Sequence, residues 1–189
     1  MRKMVISAAF AACAACGGGS SGSSVGSTVN GTVNGQPMTG RDAVSNVLHV
    51  GSNSAGLIFV TNAANTCALI TARQQPRNAQ AFLIEIGTQG PTGAFAPSSP
   101  GVYPVFSSAA SPSVTGPVAI VLYNSTDAAC LPTFGSEGAS GNVTLTRVDS
   151  NEYAGSFDIT FSGTTGHITG SFSTGVCPGL TALLGGTCI

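Results

Sequence analysis

Charge is the scarcest property of this 189-residue chain. Only 7% of the residues are Asp, Glu, Lys or Arg, and the single lysine, Lys3, lies near the N-terminus. Without Arg2 and Lys3 the chain keeps four arginines against seven carboxylates, a formal charge of −3. So few cations make no basic stripe for a phosphate backbone. We therefore predict no nucleic-acid binding.

Tryptophan is absent, and three tyrosines with nine phenylalanines supply all the aromatic rings. Carbohydrate-binding β-proteins usually present aromatic platforms, so the composition lowers that expectation and leaves glycan binding through polar loops open. Only two histidines are present, and no Cys-x-x-Cys or histidine cluster accompanies the four cysteines beyond the N-terminal region, Cys67, Cys130, Cys177 and Cys188. The sequence therefore predicts no metal site and no cofactor.

The N-terminus has the pattern of a bacterial export signal. Two cations precede an apolar stretch, residues 4–12, that is too short for a membrane-spanning helix of about 20 residues. Small residues then lead into Cys16, where a polar run begins. This arrangement resembles the processing site of bacterial lipoproteins, which implies cleavage after Ala15 and acylation of Cys16. Cys13 is a rival acceptor, and a secreted protein with a free Cys16 is the alternative.

The predicted organisation is a signal peptide over 1–15, a Gly/Ser-rich tether over 16–27 and a single β-domain over 28–189. Two or more acyl chains hold a protein stably in its leaflet. The tether has a reach of roughly 20 Å and does not orient the domain. The residue after the acylated cysteine is Gly17 rather than Asp. The resemblance therefore favours the outer membrane, on its periplasmic or surface face.

Four further cysteines, Cys67, Cys130, Cys177 and Cys188, predict two disulfides in an exported chain. Four cysteines allow three pairings, and the sequence does not choose among them. A bond between Cys177 and Cys188 would close a short tail locally and leave Cys67 to pair with Cys130.

The clearest strands lie near the C-terminus. Phe157, Ile159 and Phe161 alternate with polar residues, and residues 168–173 alternate in the same way. An alternation of period two is typical of a strand with one face in the core and one in water. Residues 143–173 therefore predict a three-stranded antiparallel meander.

Other segments complete the predicted fold. Runs that are apolar on both faces predict covered strands, and these are Gly56 to Val60, Ala81 to Ile86 and Val118 to Tyr123. A first hairpin is predicted near 28–35, an edge strand over 102–106 that contains Pro104, and one short helix over 65–74 capped by Asn65 or Thr66. The fold class is all-β: an antiparallel β-sandwich or partly open barrel of about nine strands with one short helix.

Three further motifs carry a second resemblance. They are Cys-Gly-Gly-Gly-Ser-Ser at 16–21, Pro-Gly-Val-Tyr at 100–103, and the pair Gly-Ser-Phe-Asp-Ile-Thr-Phe at 155–161 with Gly-Ser-Phe-Ser-Thr-Gly-Val-Cys at 170–177. In these motifs the chain resembles a group of Gram-negative, myxobacteria-like lipoproteins. The resemblance implies a β-rich domain outside the cytoplasm and no particular activity.

Candidate chemistry is sparse. We expect His49 to lie in a polar loop and His167 to begin a strand on its solvated face, and we predict that Asp158 faces water. Arg73 and Arg77 frame a Gln-Gln-Pro segment, where they form either an anion-binding patch or an ordinary helix C-terminus. We predict no catalytic residues.

Three functions follow. The first is a non-enzymatic, lipid-anchored envelope module that interacts with a protein or glycan partner. The alternative is a β-barrel lipoprotein that binds a small ligand or glycan, and the third is a hydrolase. A cavity of several hundred Å³ distinguishes the ligand-binding alternative from the module.

Overall fold

The computed structural model describes residues 25–108, 114–163, 165–182 and 187–188. Strands make up most of this part, as predicted, and one sheet of twelve strands curls into a half-barrel. No helix among the described residues is long and apolar enough to cross a membrane.

The first seven strands are β1 Gly26–Val33, β2 Gln36–Pro37, β3 Asp42–Val50, β4 Asn53–Thr61, β5 Gln74–Gln75, β6 Gln80–Gly90 and β7 Gly93–Phe95. The remaining seven are β8 Gly101–Pro104, β9 Gly116–Thr126, β10 Pro132–Asp149, β11 Glu152–Phe161, β12 His167–Ser173, β13 Gly175–Val176 and β14 Thr187–Cys188. The helix α1 spans Thr66–Thr71, and a 3-10 helix spans Pro178–Ala182. The order of strands in the large sheet is β13-β3-β4-β6-β9-β10-β11-β12-β1-β2, with β7 beside β6 and β8 beside β10. A separate parallel pair joins β14 to β5.

The C-terminal meander is confirmed, together with its register. Strand β11 pairs antiparallel with β10 on one side and with β12 on the other. Phe157, Ile159 and Phe161 are buried, whereas Asp158 and the other polar residues between them are exposed. The alternation survives because one face of these strands packs into the core and the other meets water.

Strand β3 was not predicted, and the placement of His49 in a loop was wrong, because His49 is an exposed residue of this strand. Ala43 and Val47 face the main core. Ser45 lies between them on the same face and is fully buried, although it is polar. A polar residue at a core position breaks the apolar alternation that identifies a strand. The period-two alternation of apolar and polar residues that predicts a strand is therefore interrupted in β3.

The helix α1 is shorter than predicted and is capped differently. Asn65 is the N-cap residue, but its side chain makes no capping hydrogen bond. Instead the backbone N–H of Thr66 donates to Oδ2 of Asp42 at 2.8 Å. The helix ends at Ala72, and Arg73 follows with a left-handed φ of 53°. The carboxylate of Asp42, 24 residues away in the sequence, thus accepts the hydrogen bond that a local N-cap side chain usually accepts.

Hydrophobic side chains form clusters on both faces of the sheet. The larger cluster fills the half-barrel and includes Phe82, Ile84, Val121, Phe157 and Ile159. The smaller cluster lies on the outer face of β3, β4 and β6. It consists of Val44, Leu57, Cys177 and Leu180, with the partly buried Leu48, Phe59, Cys67, Ile70 and Leu83 packed against it. Helix α1 and the 3-10 helix thus form a partial second layer outside the barrel.

The chain itself crosses the gap of the half-barrel at Thr174. This residue joins β12 to β13, and β13 pairs in parallel with β3 at the opposite end of the sheet order. The hydroxyl of Thr174 accepts the N–H of Tyr153 at 2.8 Å and lies 2.6 Å from the hydroxyl of Ser45. Ser45 also contacts the carbonyl oxygen of Asn151 at 2.6 Å. A buried hydrogen-bond network therefore closes this seam.

Candidate functional site

The long connection between β4 and β6, residues 62–79, forms a strap across the outer face of the sheet. It contains α1 and β5. Left-handed φ values of 55°, 53° and 50° occur at Asn65, Arg73 and Asn78 of the strap. None of these residues is a glycine. These positions bend the strap, so it arches over the sheet instead of lying flat on it.

The first anchor of the strap is a disulfide. Cys67 of α1 is bonded to Cys177, 110 residues away and directly after β13. This bond excludes the pairing of Cys177 with Cys188 and of Cys67 with Cys130 that the sequence left open. Cys130 is also disulfide-bonded, and the side chain of Cys188 lies outside the described part of the chain. The predicted involvement of these cysteines in disulfides is therefore supported at three of the four positions.

Hydrogen bonds hold the other parts of the strap. Its first residue, Asn62, accepts the N–H of Gln80 at 2.9 Å through Oδ1. Near its end, the N–H of Asn78 donates to the carbonyl oxygen of Asp127 at 2.9 Å. In the middle of the strap, β5 pairs in parallel with β14. The strap is thus fixed at its start, middle and end.

A cavity of about 320 Å³ lies beneath the strap. Its lining comes from α1, the rest of the strap and the outer faces of β4, β6 and β9. The apolar lining residues are Phe59, Ala63, Leu69, Ile70, Pro76, Ala79 and Ala81, and the polar ones are Thr66, Arg73, Gln74, Gln75, Asn124 and Thr126. Three alanines at these positions leave space that larger side chains would fill. The volume is at the lower end of the roughly 300–1,000 Å³ typical of ligand pockets.

Thr66 brings an unsatisfied polar group to this lining. Thr66 is only 3% exposed, and its Oγ1 makes no hydrogen bond within the described residues. A buried hydroxyl without a partner costs roughly 1–3 kcal/mol. A ligand acceptor in the cavity would offset that cost.

Comparison with known protein families, with curated proteins and with solved structures gives no match to this chain.

A second, more open groove of about 510 Å³ lies beside the end of the strap. Its lining includes five side-chain amides, one carboxylate and two aromatic rings: Asn34, Gln36, Asn62, Asn78, Gln80, Asp127, Tyr123 and Phe134. Burial raises the pKa of Tyr123 above its ordinary value, so this phenol is neutral at physiological pH. The groove is polar and uncharged apart from Asp127.

The candidate catalytic groups do not form a cleft. His167 and Asp158 are in contact at 2.8 Å, as cross-strand neighbours on β12 and β11, but their side chains are 53% and 66% exposed. Acid–base dyads act where water is excluded. Among the described residues no group of three or more His, Cys, Asp or Glu side chains is arranged to hold a metal ion. Cys16 and the predicted leader lie outside the described residues.

Sequence reasoning singled out Arg73 but not the cavity beside it. The cavity depends on the arch of the strap and on small residues near the start of the strap, Ala63, and around its junction with β6, Ala79 and Ala81. The available signal was the length of the connection, residues 62–79, because most connections in compact domains have only about 4–6 residues.

Proposed function

We propose that this protein is a lipid-anchored, non-catalytic protein of the cell envelope that binds a small, largely apolar ligand beneath the strap. The cavity between the strap and the outer face of the sheet carries this proposal. It favours the ligand-binding alternative over a module that lacks a cavity. We also assign the fold to the partly open barrels instead of the sandwiches, because one curled sheet contributes both sides of the main core.

The anchored location rests on the sequence. The resemblance to lipoprotein signals implies acylation at Cys16, with the tether holding the domain near the outer membrane. A tethered binding domain keeps its ligand close to the membrane without needing a fixed orientation.

The cavity is suited to binding because its walls are held in place. The disulfide and the hydrogen bonds of the strap keep the helix from collapsing onto the alanines below it. A preformed apolar cavity avoids much of the ordering cost of binding. The ligand then gains from removing its own apolar surface from water, at about 25 cal/mol per Å².

A cavity-filling variant tests the function. Ala81 lies on β6 and lines the cavity, so Ala81→Leu should occupy part of the space and reduce the binding of 1-octanol or octanoate at least ten-fold. Ala154→Leu on β11, outside the cavity lining, is the matched control and should bind like the parent. Calorimetry on the full chain carrying Cys16→Ser avoids detergent. Absence of binding by the parent, or equal binding by both alanine variants, would overturn the proposal.

The second candidate function is glycan binding in the amide-lined groove. Side-chain amides donate and accept hydrogen bonds at once, as sugar hydroxyl groups require. The partly buried ring of Phe134 offers an apolar surface beside them. Titration with oligosaccharides that left the groove unaffected would remove this candidate.

A further inference from the structure

Within the described part of the chain, the lining of the strap cavity has one positive charge and no negative one. Arg73 is the only ionisable residue among these described lining residues. The guanidinium makes no hydrogen bond or ion pair to any described residue, and Arg73 is exposed. An arginine at the edge of an apolar cavity offers a planar fork of donors to an incoming anion.

Asp42 and Asp127, two described residues that contact the strap, have carboxylates that already accept hydrogen bonds. Asp42 accepts the N–H of Thr66 through one oxygen and the N–H of Ala43 through the other. Asp127 accepts the N–H groups of Ala129 and Leu131. Neither residue lines the cavity, so neither neutralises Arg73 there.

The backbone conformation of Arg73 also favours a functional role for its side chain. Arg73 follows the C-cap of α1 with a φ of 53°, the left-handed position that glycine usually occupies after a helix. A side chain with a Cβ is strained there, and strained backbone conformations cluster at functional sites. A charged side chain at this position is consistent with a role for the guanidinium.

We propose that the ligand of the strap cavity is a small apolar monocarboxylate. Its hydrocarbon part occupies the space lined by Phe59, Leu69, Ile70 and the alanines, and its carboxylate is bound by the guanidinium of Arg73. This inference rests on the proposed function. A single arginine matches a singly charged head group better than a phosphate dianion, which generally needs several donors. The size of the cavity selects a short acyl chain or a single ring.

A matched pair of ligands tests the charge separately from the cavity. Octanoate and 1-octanol share their apolar chain, and only octanoate is anionic at about pH 7. Calorimetry should show octanoate binding roughly ten-fold or more tightly, because hydrogen bonds to charged groups are the stronger ones. The preference should shrink as salt rises from about 10 mM to about 1 M, since the guanidinium is exposed and therefore screened.

Arginine variants then assign the preference to one residue. Arg73→Gln should remove the preference, because it should weaken octanoate binding far more than 1-octanol binding. Arg77→Gln, which removes the same charge outside the cavity lining, should keep the preference. Equal binding of the two ligands by the parent, or a preference that survives Arg73→Gln, would overturn the carboxylate inference. If Ala81→Leu still abolished binding of both ligands, the proposed function would stand without it.

Discussion

At the scale of single residues, Arg73 combines backbone strain with an available charge. Its left-handed conformation costs roughly 1 kcal/mol for a residue that carries a Cβ. The parent chain tolerates that cost although a glycine would avoid it. A side chain kept at the expense of stability is the pattern expected where function and stability conflict.

Arg73→Gly should therefore raise the free energy of unfolding by up to about 1 kcal/mol while weakening octanoate binding. Urea denaturation measures the first effect and calorimetry the second. Arg73→Gln keeps the strained backbone and should leave stability within about 0.5 kcal/mol of the parent. A clear loss of stability in Arg73→Gly would contradict this account, because the side chain would then be holding the strap through contacts.

At the scale of elements, the seam at Thr174 determines how the half-barrel is closed. Thr174→Val removes the acceptor of the Tyr153 N–H and the partner of the Ser45 hydroxyl, all of them buried. We expect a loss of roughly 1–3 kcal/mol in thermal or urea unfolding. Thr160→Val on the exposed face of β11 is the control and should change stability by less than about 0.5 kcal/mol. Similar values for both variants would show that the network does not hold the seam.

Strands with one buried face and one solvent-exposed face were predictable from the sequence. The meander of β10, β11 and β12 kept its alternation because apolar residues face the core on one side only. Strand β3 was missed because Ser45 occupies a core position and is satisfied by Thr174, far away in the sequence. The cap of α1 was mispredicted for the same kind of reason, since Asp42 supplies it from another strand. Local patterns fail where a distant partner satisfies the backbone or a polar side chain.

At the scale of the whole molecule, we propose that a lipid anchor at Cys16 holds the domain through the predicted Gly/Ser-rich tether. We expect Cys16→Ser to move the protein from the detergent phase to the aqueous phase in detergent phase separation, or to leave an uncleaved precursor. Loss of the acyl chains removes about 0.8 kcal/mol for each buried methylene. Partitioning of a processed Cys16→Ser protein that equals the parent's would contradict the lipoprotein assignment.

The site was less predictable than the sheet. A cavity is defined by side chains that are small, and Ala63, Ala79 and Ala81 carry no signal that distinguishes them from other alanines. The disulfide between Cys67 and Cys177 was one of the open pairings, because spacing along the chain says nothing about distance across a curled sheet. Only the folded strap brings Arg73, the alanines and the outer face of the sheet together.

The central claim is that a small ligand binds beneath the strap. Backbone amide chemical shifts of the isotope-labelled full chain with Cys16→Ser, recorded as octanoate is added, test it most directly. The account predicts saturable shifts concentrated at residues 63–81 and 124–126, with little change along β11 and β12. Shifts centred instead on the amide-lined groove at Asn34 and Gln36, or no saturable shifts at all, would contradict it.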